Sequence, residues 1–236
     1  MARPTLARRF RSLAEVSRAI TACERCPRLR SHCLQVAGVR KREFRDQVYW
    51  GRPVPGFGDR RARLLVVGLA PAAHGANRTG RMFTGDSSGD WLHEALHRSG
   101  FASQPHSVGR DDGQRLAGVW ITAAARCAPP GNRSTSEELA QCRRFLEAEI
   151  GLLARVRVVL ALGSIAHESW LRAAGWWERL PARERPRFAH GAEGRLPDGR
   201  ILIASYHPSR QNTNTRRLTP AMWHAVFRRA RRLLDE

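Results

Sequence analysis

Four short apolar runs constrain what this chain can fold into more than any other feature: Leu64–Val67, Val119–Ala123, Val156–Leu162 and Ile201–Ser205. They are continuous rather than alternating, rich in valine, leucine and isoleucine, and bounded by glycine, proline or polar residues. A strand reads this way when both of its faces are buried, as in a parallel sheet. Helix-like segments lie between and after the runs: Ser88–Ser99 with Gly100 as a stop, Glu137–Leu153 starting near a cap at Ser134 or Ser136, Gly163-Ser164 through Ala174, and a basic segment over 220–234 opened by Thr219-Pro220. Strands alternating with helices predict an α/β fold, with a central, mostly parallel four-stranded sheet covered by helices on both faces.

The chain has 236 residues and 42% hydrophobic content, enough for one core and one domain over 1–236. Residues 34–60 and 181–199 read as loops, and Phe10–Ala22 as an amphipathic helix that delivers Cys23 and Cys26. No stretch approaches the roughly 18 apolar residues of a membrane span. The basic start, MARPTLARRFRSL, lacks the apolar centre of a secretory signal. A cytoplasmic protein with no membrane partner is expected. The formal net charge of +20 predicts attraction to polyanions, nucleic acid first. Lys41 is the only lysine, so the charge is almost all arginine, whose planar fork suits phosphate. A generally arginine-coated surface gives the same count.

In open parallel sheets, ligands sit outside the carboxyl ends of the strands. Two loops stand there. Gly68–Asp86, GLAPAAHGANRTGRMFTGD, follows the first run, and Tyr206–Asn214, YHPSRQNTN, follows the last. Both are polar, and His207 opens the second. Neither carries GxxxxGK[ST] or GxGxxG, so a phosphate-cradling nucleotide hydrolase or transferase is disfavoured. Five cysteines form an odd set: Cys23 and Cys26 in CxxC spacing, Cys127, Cys142 and Cys33. A disulfide framework does not suit such a chain. Two pairs of thiolates, Cys23/Cys26 and Cys127/Cys142, suit zinc or a four-iron four-sulfur cluster equally by spacing. Buried cysteines acting as small hydrophobes are the plainer reading. Cys33 is expected to be a free thiol.

The two loops together resemble the motifs of the uracil-DNA glycosylase superfamily. GLAPAAHGANRTGR followed by MFTGD resembles motif 1 of its iron–sulfur type 5 branch, and HPSRQNTNT resembles its second motif, across roughly residues 15 to 233. The resemblance implies a three-layer α/β/α domain that hydrolyses the N-glycosidic bond of deaminated bases in DNA, single- or double-stranded. It implies a monomer working in the cytoplasm at the nucleoid. It also implies that Cys23, Cys26, Cys127 and Cys142 hold a structural 4Fe-4S cluster rather than zinc.

Cutting that bond requires a flipped base, a stabilised leaving group and a water at the sugar. By resemblance, His207 donates to the base oxygen as charge develops there. Phe83 stacks on the base, although a core phenylalanine beside a strand end is the alternative. Arg210 and Gln211 fill the space that the base leaves. Gly68, Ala70, His74 and Ala123 border the base. In the best-known branch the third residue of motif 1 is an aspartate that orients water; here it is Ala70. Asn77, His74 and Asp86 are the polar residues nearby, and Asn77 is the favoured holder of the water. At the end of the second run, Ala123 takes the place of a base-reading asparagine, which implies relaxed selectivity that extends to hypoxanthine. A non-enzymatic nucleic-acid-binding protein with a Cys₄ metal site is the alternative function. It accounts for the charge and the cysteines but not for the two polar loops.

Overall fold

The computed structural model describes residues 10–236. The first nine residues, and with them most of the basic start, lie outside the described residues. The strands are β1 (Phe57–Gly58), β2 (Leu64–Gly68), β3 (Val119–Ala123), β4 (Val158–Leu162), β5 (Glu193–Arg195) and β6 (Ile201–Ser205). The helices are α1 (Leu13–Thr21), α2 (Pro27–Val39), α3 (Ala76–Thr79), α4 (Ser87–Arg98), α5 (Ser136–Leu152), α6 (Ser164–Ala173), α7 (Trp176–Arg179), α8 (Arg210–Asn214) and α9 (Pro220–Asp235).

Among the described residues the sheet has six strands in the order β1-β3-β2-β4-β6-β5, not the four expected. The four apolar runs are its parallel centre. The two additions are short antiparallel edges, β1 on β3 and β5 on β6. Each is only two or three residues long and contains glycine, so neither carries an apolar period that sequence reasoning can detect.

Because successive strand residues point to opposite faces, each central strand feeds two cores. Leu64, Val66, Val158, Leu160, Ile201 and Ile203 meet Leu92 and Leu96 of α4 and Val226 and Phe227 of α9. Leu65, Val67, Val159, Ala161 and Leu202 meet Leu146 of α5 and Ala166 and Trp170 of α6. Helix α1 packs outside α5 through Val16, Ile20 and Phe145. Two helical layers thus enclose the sheet, and each fully buried Leu or Val contributes about 1.5–3 kcal/mol.

Several boundaries move. The cap of α5 is Thr135, not a serine: its hydroxyl accepts from Glu138 N–H at 3.2 Å while the Glu138 carboxylate accepts from Thr135 N–H at 2.8 Å. The first part of the expected loop over 34–60 is the end of α2. That helix starts on Pro27 and buries only Leu29, Arg30 and Cys33, while Leu34 and Val39 face out, so no apolar face announces it.

The chain leaves β2 toward β3 on one side, then returns past β2 to β4 on the other. The connections after β2 and β4 therefore diverge, and a crevice opens at their carboxyl ends.

Candidate active site

The Gly68–Asp86 loop runs from β2 through α3 to α4. Asp86 ends it as the cap of α4, with Oδ1 accepting from Gly89 N–H at 2.9 Å. Its other oxygen lies against Gly75, where a Cβ would come within 1.9 Å of Oδ2, so only glycine fits there. Two arginines of the loop are buried and hold it in shape. Arg78 donates to His74 O at 2.7 Å, Gly85 O at 2.8 Å and Gln47 Oε1 at 2.6 Å. Arg81 pairs with Asp112 and donates to Ser107 Oγ at 2.7 Å. These guanidinium groups are spent on the loop.

The second loop is tied to the first turn of α4 and to itself. Ser88 Oγ donates to Pro208 O at 3.0 Å, and Asn212 Nδ2 donates to His207 O at 2.8 Å. Between the loops lies a cavity of about 680 Å³, with Ala70, Asp86, Gly163, His207, Arg210 and Gln211 in its wall. That size suits a small-molecule or single-base ligand. Burial pushes the His207 imidazole down to about 4, so at neutral pH it is uncharged, with one N–H donor and one acceptor. Burial pushes the Asp86 carboxyl up, against the pull of the Gly89 and Ser88 N–H groups. The cavity thus pairs a neutral donor with a carboxyl group on the same wall as Ala70.

Gly68, Phe83 and Ala123 lie in the core at the strand ends. Gly68 and Ala123 are neighbours across β2 and β3. A Cβ on Gly68 would lie 2.6 Å from two carbons of the Phe83 ring, so the glycine admits the ring. Phe83 has a φ of 49°, a strained value for an aromatic residue, and its ring centroid is 5.9 Å from that of His207. It is a core residue that also neighbours His207, as the core reading of Phe83 expected. Arg210 and Gln211 are exposed at the start of α8, at the cavity mouth.

His74 stands one cavity further along. Its Nδ1 is 3.0 Å from the Tyr49 hydroxyl, and it lines a groove of about 900 Å³ that shares Ala72, Asp86, Ser87, Asn132 and Arg210 with the first cavity. Burial pushes its imidazole down, with Lys41, Arg78 and His32 adding to that. Gly68, Phe83 and Ala123 line neither cavity, and among the polar candidates Asn77 is the one that the structure moves away from the chemistry. It is fully buried in α3 and absent from the walls of both cavities. Its Nδ2 donates to Cys33 O at 3.3 Å and Ala73 O at 3.4 Å, which makes it a strut between α3 and α2. Asp86 takes its place as the polar group that faces the cavity. The signal was present in the sequence, since an Asp before a helix reads as a cap, but its second role depends on the fold. Sequence reasoning missed the wall given by Gly163, Ser164 and Ile165 after β4, and the contribution of Asn132.

The model of the uracil DNA glycosylase superfamily matches residues 55–231. The chain belongs to this superfamily. It is 55% identical over 214 residues to a type-5 uracil-DNA glycosylase of Thermus thermophilus, covering 91% of this chain and 94% of that protein. It is 51% identical over 223 residues to one of Mycobacterium tuberculosis, covering 94% of this chain and 82% of that protein. A type-4 uracil-DNA glycosylase of Pyrobaculum aerophilum is 32% identical over 168 residues, covering 68% of this chain and 74% of that protein. Every residue of the rim lies inside the superfamily match, whereas Cys23 and Cys26 precede it.

The cysteines converge without forming disulfides. Cys23 follows α1, Cys26 caps α2, Cys127 follows β3 and Cys142 lies in α5, and all four line one small cavity with Leu29, Pro53 and Phe145. Among the described residues no group of three or more His, Cys, Asp and Glu side chains is close enough to hold a metal ion. Burial pushes the Cys142 thiol up to about 12 and, with Cys23 adding to it, raises Cys26. Arg126 lines the same cavity, and its buried Nε has no hydrogen-bond partner. Its terminal nitrogens hold Glu149, with Nη2 donating to Oε2 at 2.6 Å, and Thr122 Oγ1 donates to the same oxygen at 2.5 Å. Cys33 is buried beside this cavity, its sulfur 3.7 Å from Ala128 O. No helix among the described residues is long and apolar enough to cross a membrane.

Proposed function

We propose that this protein is a DNA repair glycosylase that hydrolyses the N-glycosidic bond of uracil in DNA and leaves an abasic site. The observation that carries the reading is the shared wall of one cavity, where neutral His207 and the buried carboxyl group of Asp86 stand with Ala70 at the mouth held by Arg210 and Gln211. A base turned out of the helix enters this cavity, and Arg210 and Gln211 occupy the gap in the stack. His207 donates its N–H to a base oxygen, where negative charge grows as the bond to the sugar breaks. A neutral donor of this kind acts more strongly in the transition state than in the ground state. Asp86 holds the water that attacks the cationic sugar carbon and takes up the proton it sheds. This carboxylate does from the loop's end what Ala70, at its start, cannot.

The absence of a polar side chain at Ala70, on the cavity wall, supports activity on hypoxanthine as well as uracil. A wall that makes few hydrogen bonds to the base rejects few bases. For a metal centre at the four cysteines, which line one cavity without standing at metal-ligand distance, the supporting features are the four sulfur donors, the apolar wall and the unpartnered Arg126 Nε–H beside them. Cys23, Cys26, Cys127 and Cys142 would hold a 4Fe-4S cluster, which would cross-link α1, α2, α5 and the segment after β3, with zinc as the alternative occupant. Iron, sulfide and zinc analysis of protein purified without air decides between them.

Wild-type protein incubated with uracil- and hypoxanthine-containing duplexes tests the reading. Free base and an alkali-labile site are expected from both. Tight binding without base release overturns the enzymatic reading, and release of uracil alone removes the hypoxanthine extension.

A further inference from the structure

A second basic cavity, of about 350 Å³, lies away from His207. Its wall includes Ser17, Arg18 and Thr21 of α1, Trp50 and Arg52 of the segment after α2, and Arg110. Two of the arginines are held on the indole. The guanidinium carbon of Arg110 is 4.5 Å from the Trp50 ring centroid and that of Arg52 is 5.9 Å away. The indole itself is fixed, with Nε1 donating to Pro53 O at 3.2 Å. A Cβ on Gly80 would lie 2.8 Å from the ring, so Trp50 rests on the end of α3.

Three features set this cavity apart from an ordinary arginine-rich surface. No Asp or Glu lines it. Among the described residues, Arg18, Arg52 and Arg110 take part in no ion pair. The cavity also borders the groove that leads to Asp86: Arg110 lies two residues from Val108 of the groove wall, and Trp50 N–H donates to the carbonyl of Arg78, another wall residue, at 2.8 Å. The arginine cavity at the amino ends of the strands is the contrast. It collects Arg63, Arg155, Arg157 and Arg200 but includes Asp198, which is paired to Arg200. Like charges gathered with no counter-charge repel one another, and a bound anion removes that cost. Planar guanidinium groups stacked on an indole are already oriented to grip phosphate oxygens in pairs.

We infer that Arg18, Arg52 and Arg110, arranged around Trp50, bind backbone phosphates of the DNA strand beyond the flipped nucleotide. The site rests on the proposed function for its ligand. It extends the strand's path from the His207 cavity through the His74 groove to Trp50. All three arginines are exposed, so glutamine in their place leaves the core intact.

The test compares full-length wild type, the triple variant Arg18→Gln/Arg52→Gln/Arg110→Gln, and Arg155→Gln as a charge control at the opposite end. Binding to a uracil-containing duplex of 30 base pairs is measured from 50 to 200 mM salt. For each phosphate that the protein no longer neutralises, the plot of log K against log salt becomes shallower by about 0.9, and affinity at fixed salt falls roughly three-fold. The triple variant is expected to lose about thirty-fold in affinity, with single-turnover excision at saturating DNA unchanged. Arg155→Gln is expected to match wild type. An unchanged slope and affinity in the triple variant overturns the site, and so does an equal loss in Arg155→Gln. Inorganic phosphate that binds wild type but not the triple variant, with DNA binding unaffected, assigns the cavity to a free anion and also overturns it. Failure of wild type to release uracil is a separate result, against the enzymatic reading alone.

Discussion

The His207 rim and the cysteine cavity are both assembled from residues far apart in the chain, yet they are built in opposite ways. The rim is open, collects polar loops from the carboxyl ends of β2, β4 and β6, and has a strained core residue, Phe83, packed beside His207. The cysteine cavity is small and mostly apolar and gathers the start of α2 and the middle of α5 with the segments after α1 and β3. Backbone strain stands beside the site where chemistry is done, and closed apolar packing collects where elements are locked together. The two regions meet at Asn77, whose amide ties the rim loop to Cys33 O in α2.

The first way to break the comparison is Asp86→Asn. Asparagine caps a helix as well as aspartate does, so α4 is kept while the carboxylate is lost. Single-turnover excision is expected to fall by about 10²–10⁴, with the melting temperature near that of wild type. A rate within a factor of two leaves the water to another group.

Gly68→Ala has a smaller effect that falls on both properties. The added methyl meets the Phe83 ring at 2.6 Å, and overpacking of this kind costs about 1–3 kcal/mol. Calorimetry is expected to show a lower melting temperature, and excision is expected to drop as the ring shifts against His207. Unchanged melting shows that the ring yields freely.

Asn77→Ala sharpens the line between the regions. It removes buried hydrogen bonds, each of which contributes about 0.5–1.5 kcal/mol. Denaturant unfolding is expected to report that loss while the rate of excision per folded molecule holds. A hundred-fold loss of rate at unchanged stability returns the water to Asn77.

The smallest effect is in pH. An ordinary histidine titrates near 6.5, whereas the folded chain holds His207 neutral down to about 4. Between these values the unfolded chain binds a proton that the folded chain does not, so the His207 contribution lowers stability as pH falls through that window and is absent above it. Excision is expected to show no limb from His207 at pH 6.5, since burial moves the titration of that imidazole lower. A limb at 6.5 that His207→Asn abolishes contradicts the burial argument.

What was legible in the sequence followed the same division. The four parallel strands and both rim loops were readable because continuous apolar runs ending in polar, glycine-rich segments leave few other folds. The placing of His207, Arg210 and Gln211 came from that logic together with the resemblance. Edge strands of two or three residues carry no period, and α2 shows no apolar face, so both were hidden. Asn77 and Asp86 are both polar residues of one loop. Only the fold shows that one is sealed behind it and the other is turned to the cavity. The cysteine spacing predicted convergence on one site, and the four side chains do share one cavity.

The central claim is that bond cleavage happens at the rim and that His207 stabilises the departing base there. Single-turnover release of uracil by His207→Ala, beside a melting curve of the same protein, tests it most directly. The account predicts a loss of about 10²–10³ in rate with melting close to wild type. A rate within a factor of two of wild type, or a loss explained by unfolding, contradicts it.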